Sequence, residues 1–400
     1  MIRYFSVILV TLLIVGPVLA DDGIESTPQA AGESVSPAKP ADSPLIILYK
    51  HGPVNEIERM LSVGADPNLP DGPDGLTPLM LAAGFNPDPD TVSLLINRGA
   101  RLEDRENKFG MTALMFAAAG NSPAMVKTLL DQGADPRATD NRGGTALHHA
   151  LVDDRNFGAI QLLVAAGADP DATDADGLTP LMLATLRSQF SNLNMLLRVG
   201  AQVDAVGQNG RTALLVAAER ATDPGLIRRL IEAGASLELR DKSGQTPFLA
   251  AAAKGQLPIL ETLKRAGADS RAVDGRGGDA LLLAALSNPD PEVIKFLLAD
   301  GADLGAVRSN GLTPILTAAG NPAEEVTRFL VLSGADLSAR DPQGRTALML
   351  AVWLNPNEEV AKILVGGGAD PGEKDSAGRS ALDYAGDNRP ELVEFLSRGR

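Results

Sequence analysis

The 400-residue chain has no cysteine, one tryptophan, three tyrosines and three histidines. Without a thiol there is no disulfide framework, no thiolate nucleophile and no cysteine ligand for zinc. His51, His148 and His149 have no companion at ligand spacing, so they form no zinc pattern. Aromatic residues make up 4% of the chain against 44% hydrophobic residues overall, which leaves Leu, Ala, Val and Ile to build the core. Positive charge is also short. Thirty-six Lys and Arg stand against 51 Asp and Glu, a net charge of −15. A surface of that sign suits neither nucleic acid nor anionic lipid. There is no Gly-Lys-Ser/Thr phosphate loop, no Gly-x-Ser-x-Gly elbow and no His-Glu-x-x-His. Little chain remains outside the organised segments described next to hold an enzyme domain, and no cofactor or metal is expected.

Long apolar runs are absent except at the start. Arg3 precedes Phe5 to Val15, apolar apart from Ser6 and Thr11, and Gly16-Pro17 then leads to Val18-Leu19-Ala20. That is the order of a secretory signal peptide over residues 1–20, with cleavage after Ala20. The alternative is an uncleaved anchor, but the apolar stretch is short for a span of about 20 residues. No cysteine follows it, so lipidation there is excluded. Residues 21–42 are rich in Ala, Ser, Pro, Glu and Asp. They bury too little to offset the entropy of ordering, and read as a flexible acidic linker.

The rest of the chain repeats. Gly75, Gly110, Gly143, Gly177, Gly210, Gly244, Gly277, Gly311, Gly344 and Gly378 each stand two residues before Thr, Asp279 or Ser380. All three types are strong helix N-caps, and Pro78, Pro180, Pro247 and Pro314 follow at the favoured first helical position. An alanine recurs five residues after each N-cap, from Ala82 to Ala385. Further on, Gly99, Gly133, Gly167, Gly200, Gly234, Gly267, Gly301, Gly334 and Gly368 each precede Ala and fit the left-handed residue that closes a helix. A period of about 33 residues is the mark of a stacked array.

Thr-Pro-Leu-x-x-Ala followed by Gly-Ala-Asp resembles the ankyrin repeat, and it recurs at fixed spacing over residues 43–400. The resemblance implies an all-α solenoid in one array: helix-turn-helix units with β-turn fingers, about nine full repeats, and a capping repeat at each end. The family usually carries histidine after Thr-Pro-Leu, where it ties repeats together. Only His148 does so here, and Met80, Met115, Met182, Leu215, Leu249, Leu282, Leu316 and Met349 fill the equivalent positions as apolar core. Those methionines are soft donors suited to copper(I), but helix spacing of about 8–10 Å keeps them apart. Asp169, Asp171, Asp174 and Asp176 lack the alternating spacing and terminal glutamate of a calcium loop, so they read as turn residues. Long and short repeats also alternate, the extra residue falling between the two helices, which suggests growth by duplication of pairs.

In this family partners are met by the finger tips and the adjoining first helices. The resemblance therefore puts the candidate contacts on Lys108, Met111, Asn141, Arg142, Asp176, Leu178, Gln208, Arg211, Lys242, Gln245, Arg276, Asn310, Leu312, Arg345 and Arg379. The expected function is a non-enzymatic protein-binding scaffold in the cell envelope or outside the cell. The partner is one or more proteins, with no nucleic acid and no membrane insertion after cleavage, and the chain is expected to be a monomer. Similarity to exported bacterial ankyrin proteins of the periplasm implies one alternative, a protective or inhibitory partner of a specific periplasmic enzyme, and a secreted host-directed effector is another. Intact-mass measurement on the exported protein should show Asp21 as its first residue; retention of Met1 to Ala20 would favour the anchor.

Overall fold

Several of the first helices are apolar on every side. Pro78–Phe85 reads PLMLAAGF and Ala280–Ser287 reads ALLLAALS, and a helix of that kind must be covered all round. The second helices are amphipathic: in Pro224–Glu232, Leu226, Ile227 and Leu230 are buried while Arg228 is exposed. Laying an amphipathic helix on one side of the apolar one leaves its flanks bare, and only a neighbouring repeat can cover those.

The computed structural model describes residues 44–120, 122–154, 156–220, 223–287, 290–386 and 389–398. The expected signal peptide 1–20 and linker 21–42 lie outside them. The chain divides into two compact units, Met1–Ala184 with Gln189–Gln202, and Thr185–Ser188 with Val203–Arg400. In the first, the leading helices are α1 (Pro44–His51), α3 (Pro78–Phe85), α5 (Ala113–Gly120), α7 (Ala146–His149, continued by a 3-10 turn Ala150–Val152) and α9 (Pro180–Leu186). Their partners are α2 (Val54–Ser62), α4 (Pro89–Asn97), α6 (Pro123–Asp131), α8 (Phe157–Ala165) and α10 (Phe190–Arg198). In the second unit the leading helices are α11 (Ala213–Arg220), α13 (Pro247–Lys254), α15 (Ala280–Ser287), α17 (Pro314–Ala318), α19 (Ala347–Leu354) and α21 (Ala381–Ala385). The partners there are α12 (Pro224–Glu232), α14 (Leu257–Arg265), α16 (Pro291–Ala299), α18 (Glu324–Leu332), α20 (Glu358–Gly366) and α22 (Pro390–Arg398).

Within each unit leading helices pack on leading helices, from α1 to α7 and from α11 to α21, and partner helices pack on partner helices. This is an all-helical repeat stack. Among the described residues there is no strand, only isolated bridges such as Asp71 with Leu76, and no helix is long and apolar enough to cross a membrane.

The helix ends follow the capping chemistry. The Thr77, Thr179, Thr212 and Thr246 hydroxyls accept the N–H three residues on at 3.2–3.4 Å, and Asp279 does the same for Leu282 at 2.8 Å. Three expected caps differ. The Thr145 hydroxyl instead meets His148 Nδ1 (3.0 Å), and the Ser380 hydroxyl donates to Asp383 (2.8 Å), because each has a polar side chain three residues on that competes for it. The Thr112 hydroxyl is buried without a hydrogen-bond partner, and nothing in the structure explains it. At the far end of α16, Gly301 has φ 90°, and the Gly301 and Ala302 N–H groups return to Leu298 and Leu297 carbonyls, both at 3.0 Å. Only a residue without Cβ takes that backbone cheaply.

The turn between the two helices differs in how it caps the second helix. From leading N-cap to partner N-cap is eleven positions at Thr77–Asp88, Thr212–Asp223, Asp279–Asp290 and Thr346–Asn357, and ten at Thr179–Gln189 and Thr246–Gln256. Four of the longer repeats place an N-cap there. Thr145–Asn156, also eleven positions, has none, and Thr112–Ser122, at ten, is capped by Ser122 on the Met125 N–H (3.4 Å). Asp88, Asp223, Asp290 and Asn357 each accept an N–H two residues on, at 2.7–3.1 Å, while Gln189 and Gln256 make no such bond.

An amide ladder runs between repeats. Asn86 donates to the carbonyls of Tyr49 (3.2 Å) and Gly52 (3.1 Å), and Asn156 to Ala118. Gln189 donates to Leu151 (2.6 Å), Gln256 to Glu219 (3.2 Å) and Asn321 to Ala285 (3.2 Å). Asn355 reaches Ala319 (3.0 Å) and Asn321 (2.7 Å), and Arg389 takes the same part with Val352 and Asn355. Each closes the open carbonyl end of the preceding leading helix. His148, one repeat's cap, adds the expected tie: Nδ1 accepts the Thr145 N–H (3.2 Å) and Nε2 donates to the Leu178 carbonyl (3.1 Å). Burial pushes its pKa down, so the ring is neutral.

Asn355 is fully buried, so Asn355→Ala strands two carbonyls and should cost about 1–3 kcal/mol. Urea midpoints at constant m-value check this, with exposed Asn310→Ala as a control expected near zero.

Candidate protein-binding edge

Most fingers are built on a carboxylate turned inward, with Gly207 and Arg308 standing at that position in two of them. Asp140 Oδ1 accepts the N–H groups of Arg142 and Gly144, both at 2.8 Å, and Asp174 those of Asp176 (3.0 Å) and Leu178 (2.8 Å). Asp241, Asp274, Asp341 and Asp375 repeat the pattern at 2.7–3.0 Å. Asp274, Asp341 and Asp375 are only 5–7% exposed, which such bonding makes tolerable. Asp169 likewise accepts the Asp171 N–H (2.9 Å). These carboxylates act in turns, as the sequence suggested.

Neighbouring fingers are then joined by one backbone rung each. Asn141 N–H donates to Phe109 (2.8 Å), Ala175 to Arg142 (2.7 Å), Lys242 to Asn209 (2.7 Å), Gly275 to Ser243 (2.8 Å), Ser309 to Arg276 (3.0 Å) and Ser376 to Gln343 (3.0 Å). At the matching position Pro342 has no N–H, so the rung to the finger of Asn310 is missing. Arginines clamp some rungs from outside. Arg240 Nη1 bridges the Gly244 (2.8 Å) and Val273 (2.6 Å) carbonyls, and Arg340 Nη1 bridges Gly344 and Lys374, both at 2.8 Å. Arg105 bridges Gly110 and Thr139 in the same way.

On this frame Lys108, Asn141, Gln208, Lys242, Arg276 and Asn310 are exposed at the finger tips. Arg142 and Asp176 pair with each other across adjacent fingers (2.7 Å). Leu178, Gln245 and Leu312 are half-buried. Met111 corrects the expectation: it is 2% exposed. Glu106 accepts the Met111 N–H (3.2 Å) and holds the turn there, and the apolar side chain lies in the core rather than on the edge.

The three arginines before the N-caps are not free charges. Arg211 is ion-paired with Glu219 on the next helix, with side chains 14% and 17% exposed, and its Nε is buried without a partner. Burial lowers the Arg211 pKa. Arg345 Nε bonds Asp341 (2.6 Å), and its guanidinium lies 4.9 Å from the centre of the Trp353 ring. Arg379 Nε bonds Asp375 (3.0 Å), and its guanidinium lies 4.6 Å from the Tyr384 ring. Burial would raise the Asp375 pKa, but bonds from the Tyr384 hydroxyl, the Arg379 and Ala377 N–H groups and the Arg379 guanidinium outweigh it and hold the carboxyl at about 2. Trp353 and Tyr384 were missed from sequence. The visible signal was a lone tryptophan near the end of an otherwise aliphatic leading helix.

A regular backbone frame with varied side chains along the finger edge of each unit defines a repeat scaffold. A family model described as "Ankyrin repeats (3 copies)" matches residues 45–140, 120–206, 190–274 and 281–375. The chain belongs to the ankyrin-repeat family. "SH3 and multiple ankyrin repeat domains protein 2" of Homo sapiens is 45% identical over 69 residues, 17% of this chain. The match spans 4% of that curated relative's length.

Because Arg211 answers a mostly buried Glu219, Arg211→Ala should lower stability by about 1–3 kcal/mol. Thermal or urea unfolding measures it. An unchanged midpoint would mean that the pair is open in solution.

Proposed function

We propose that this chain is a non-enzymatic protein-binding scaffold, exported through the signal peptide read at residues 1–20 and acting in the cell envelope or outside the cell. Contact is made by the finger tips and the outer ends of the leading helices. The carrying observation is the division of labour within the fingers. Turn carboxylates and backbone rungs recur in most fingers, Gly207, Arg308 and Pro342 being exceptions, while the exposed tips change from Lys108 to Asn141, Gln208, Lys242, Arg276 and Asn310. Fixing the backbone and varying the tips gives shape at low ordering cost and chemistry that differs along the edge. Net charge of −15 argues against nucleic acid, and protein is the partner class that ankyrin repeats support.

Site-directed photocrosslinkers in cells test the edge. Placed at Gln208, Lys242 or Gln343 they should yield a discrete protein adduct, and placed at exposed Lys127 or Arg265 on the partner helices they should not. Adducts from the partner-helix positions alone would overturn the assignment.

A further inference from the structure

The last two repeats of the second unit carry four planar groups in series. The Arg345 guanidinium lies over Trp353, Trp353 faces Tyr384 with ring centres 6.0 Å apart and tilted by 44°, and the Arg379 guanidinium lies over Tyr384. This stack is both open and held. Trp353 is 50% and Leu354 52% exposed, and the Arg379 side chain is 53% exposed. The carboxylates that orient the arginines, Asp341 and Asp375, have side chains 1% exposed.

We propose that this stack docks an acidic segment of a partner protein. A large apolar side chain of the segment lies on Trp353 and Leu354, and a carboxylate meets the exposed Arg379 guanidinium, with the less exposed Arg345 beside it. The proposal rests on the scaffold reading and names one site and one ligand chemistry for it.

The sign of the ligand follows from which donors are used. Arg345 spends Nε on Asp341 and Nη2 on Gln343 (3.1 Å), and Arg379 spends Nε and Nη2 on Asp375. Nη1 of each guanidinium keeps two donors. Asp341 and Asp375 are turned inward on the finger N–H groups, so the two Asp do not offer their negative charge to a ligand. Exposed Asp383 is tied to Ser380 through N–H (2.7 Å) and hydroxyl (2.8 Å). The most open groups of the stack are the Arg379 guanidinium and the Trp353 ring, and the guanidinium complements an anion. A small free anion would leave Trp353 and Leu354 wet, whereas a segment that also carries an apolar residue covers both. Trp, Tyr and Arg are the residues that dominate binding energy when desolvated together. Stacking, the Arg340 clamp and the Ser376 rung hold them in place beforehand, so little side-chain entropy is left to lose.

The test is panning of phage-displayed random 12-residue peptides on the full chain, followed by titration with synthetic tryptophan-free copies. Trp353 is the chain's one tryptophan, so its emission reports this site alone. Enriched peptides should pair Asp or Glu with Leu or Phe, and shift that emission. Trp353→Ala should weaken labelled-peptide binding by about 30-fold or more, Arg379→Gln by about tenfold, while Trp353→Phe stays within about threefold. Leu354→Asp, at an exposed position outside the stack, should cost at least about tenfold by repelling the acidic segment. Peptides that bind without moving Trp353 emission and ignore these variants would overturn the site but leave the scaffold reading standing. Lysine-rich peptides binding at Trp353 would overturn the acidic ligand. No enriched peptide at all would count against both.

Discussion

The amide that closes the neighbour's helix is the interaction on which this architecture depends. An α-helix leaves its last carbonyls unpaired, and these leading helices are packed where water does not reach. Asn86, Gln189, Asn321 and Asn355 supply the missing donors from the following repeat. No repeat is therefore complete alone. Apolar packing would tolerate a sliding neighbour, but a buried carbonyl needs its donor at about 3 Å. Hydrophobic burial drives the stacking, and the ladder fixes its register.

The same economy governs the fingers. Their acidic residues look, as a list, like a ligand-binding surface, yet Asp274, Asp341 and Asp375 commit Oδ1 to the turn and Oδ2 to an arginine. The chain's large negative charge is thus partly inward-facing at this edge. That is how an acidic protein can present arginine to a partner there.

What could be read from sequence was local. N-caps, the glycine before alanine and the pairing of helices depend on residues within a few positions of one another, and they appear where the spacing put them. Contacts one repeat away could not be read. Arg345 and Arg379 were legible as edge residues, but the Tyr384 ring beside Trp353 lies 31 positions along the chain and depends on how the repeats stack. Met111 looked like an edge residue because its neighbours in the pattern are, but its side chain is buried in the core. Arg211 was legible as a charge and not as half of a pair. The longer inter-helix turn was visible, but its use as a cap needed the Asp88 and Asp290 geometry.

The proline at 342 has a consequence for how the second unit comes apart. A stack held by nearest-neighbour terms opens where one coupling is weakest. Each rung is a single backbone hydrogen bond of about 1 kcal/mol net, and one is missing between the fingers of Asn310 and Gln343. Amide exchange in residues 341–398 should then report a sub-global opening of both helix pairs once the Asn355 bonds to Ala319 and Asn321, which also cross that joint, give way. The finger joint at Ser376 and the Arg340 clamp would keep those two repeats moving as one cooperative block.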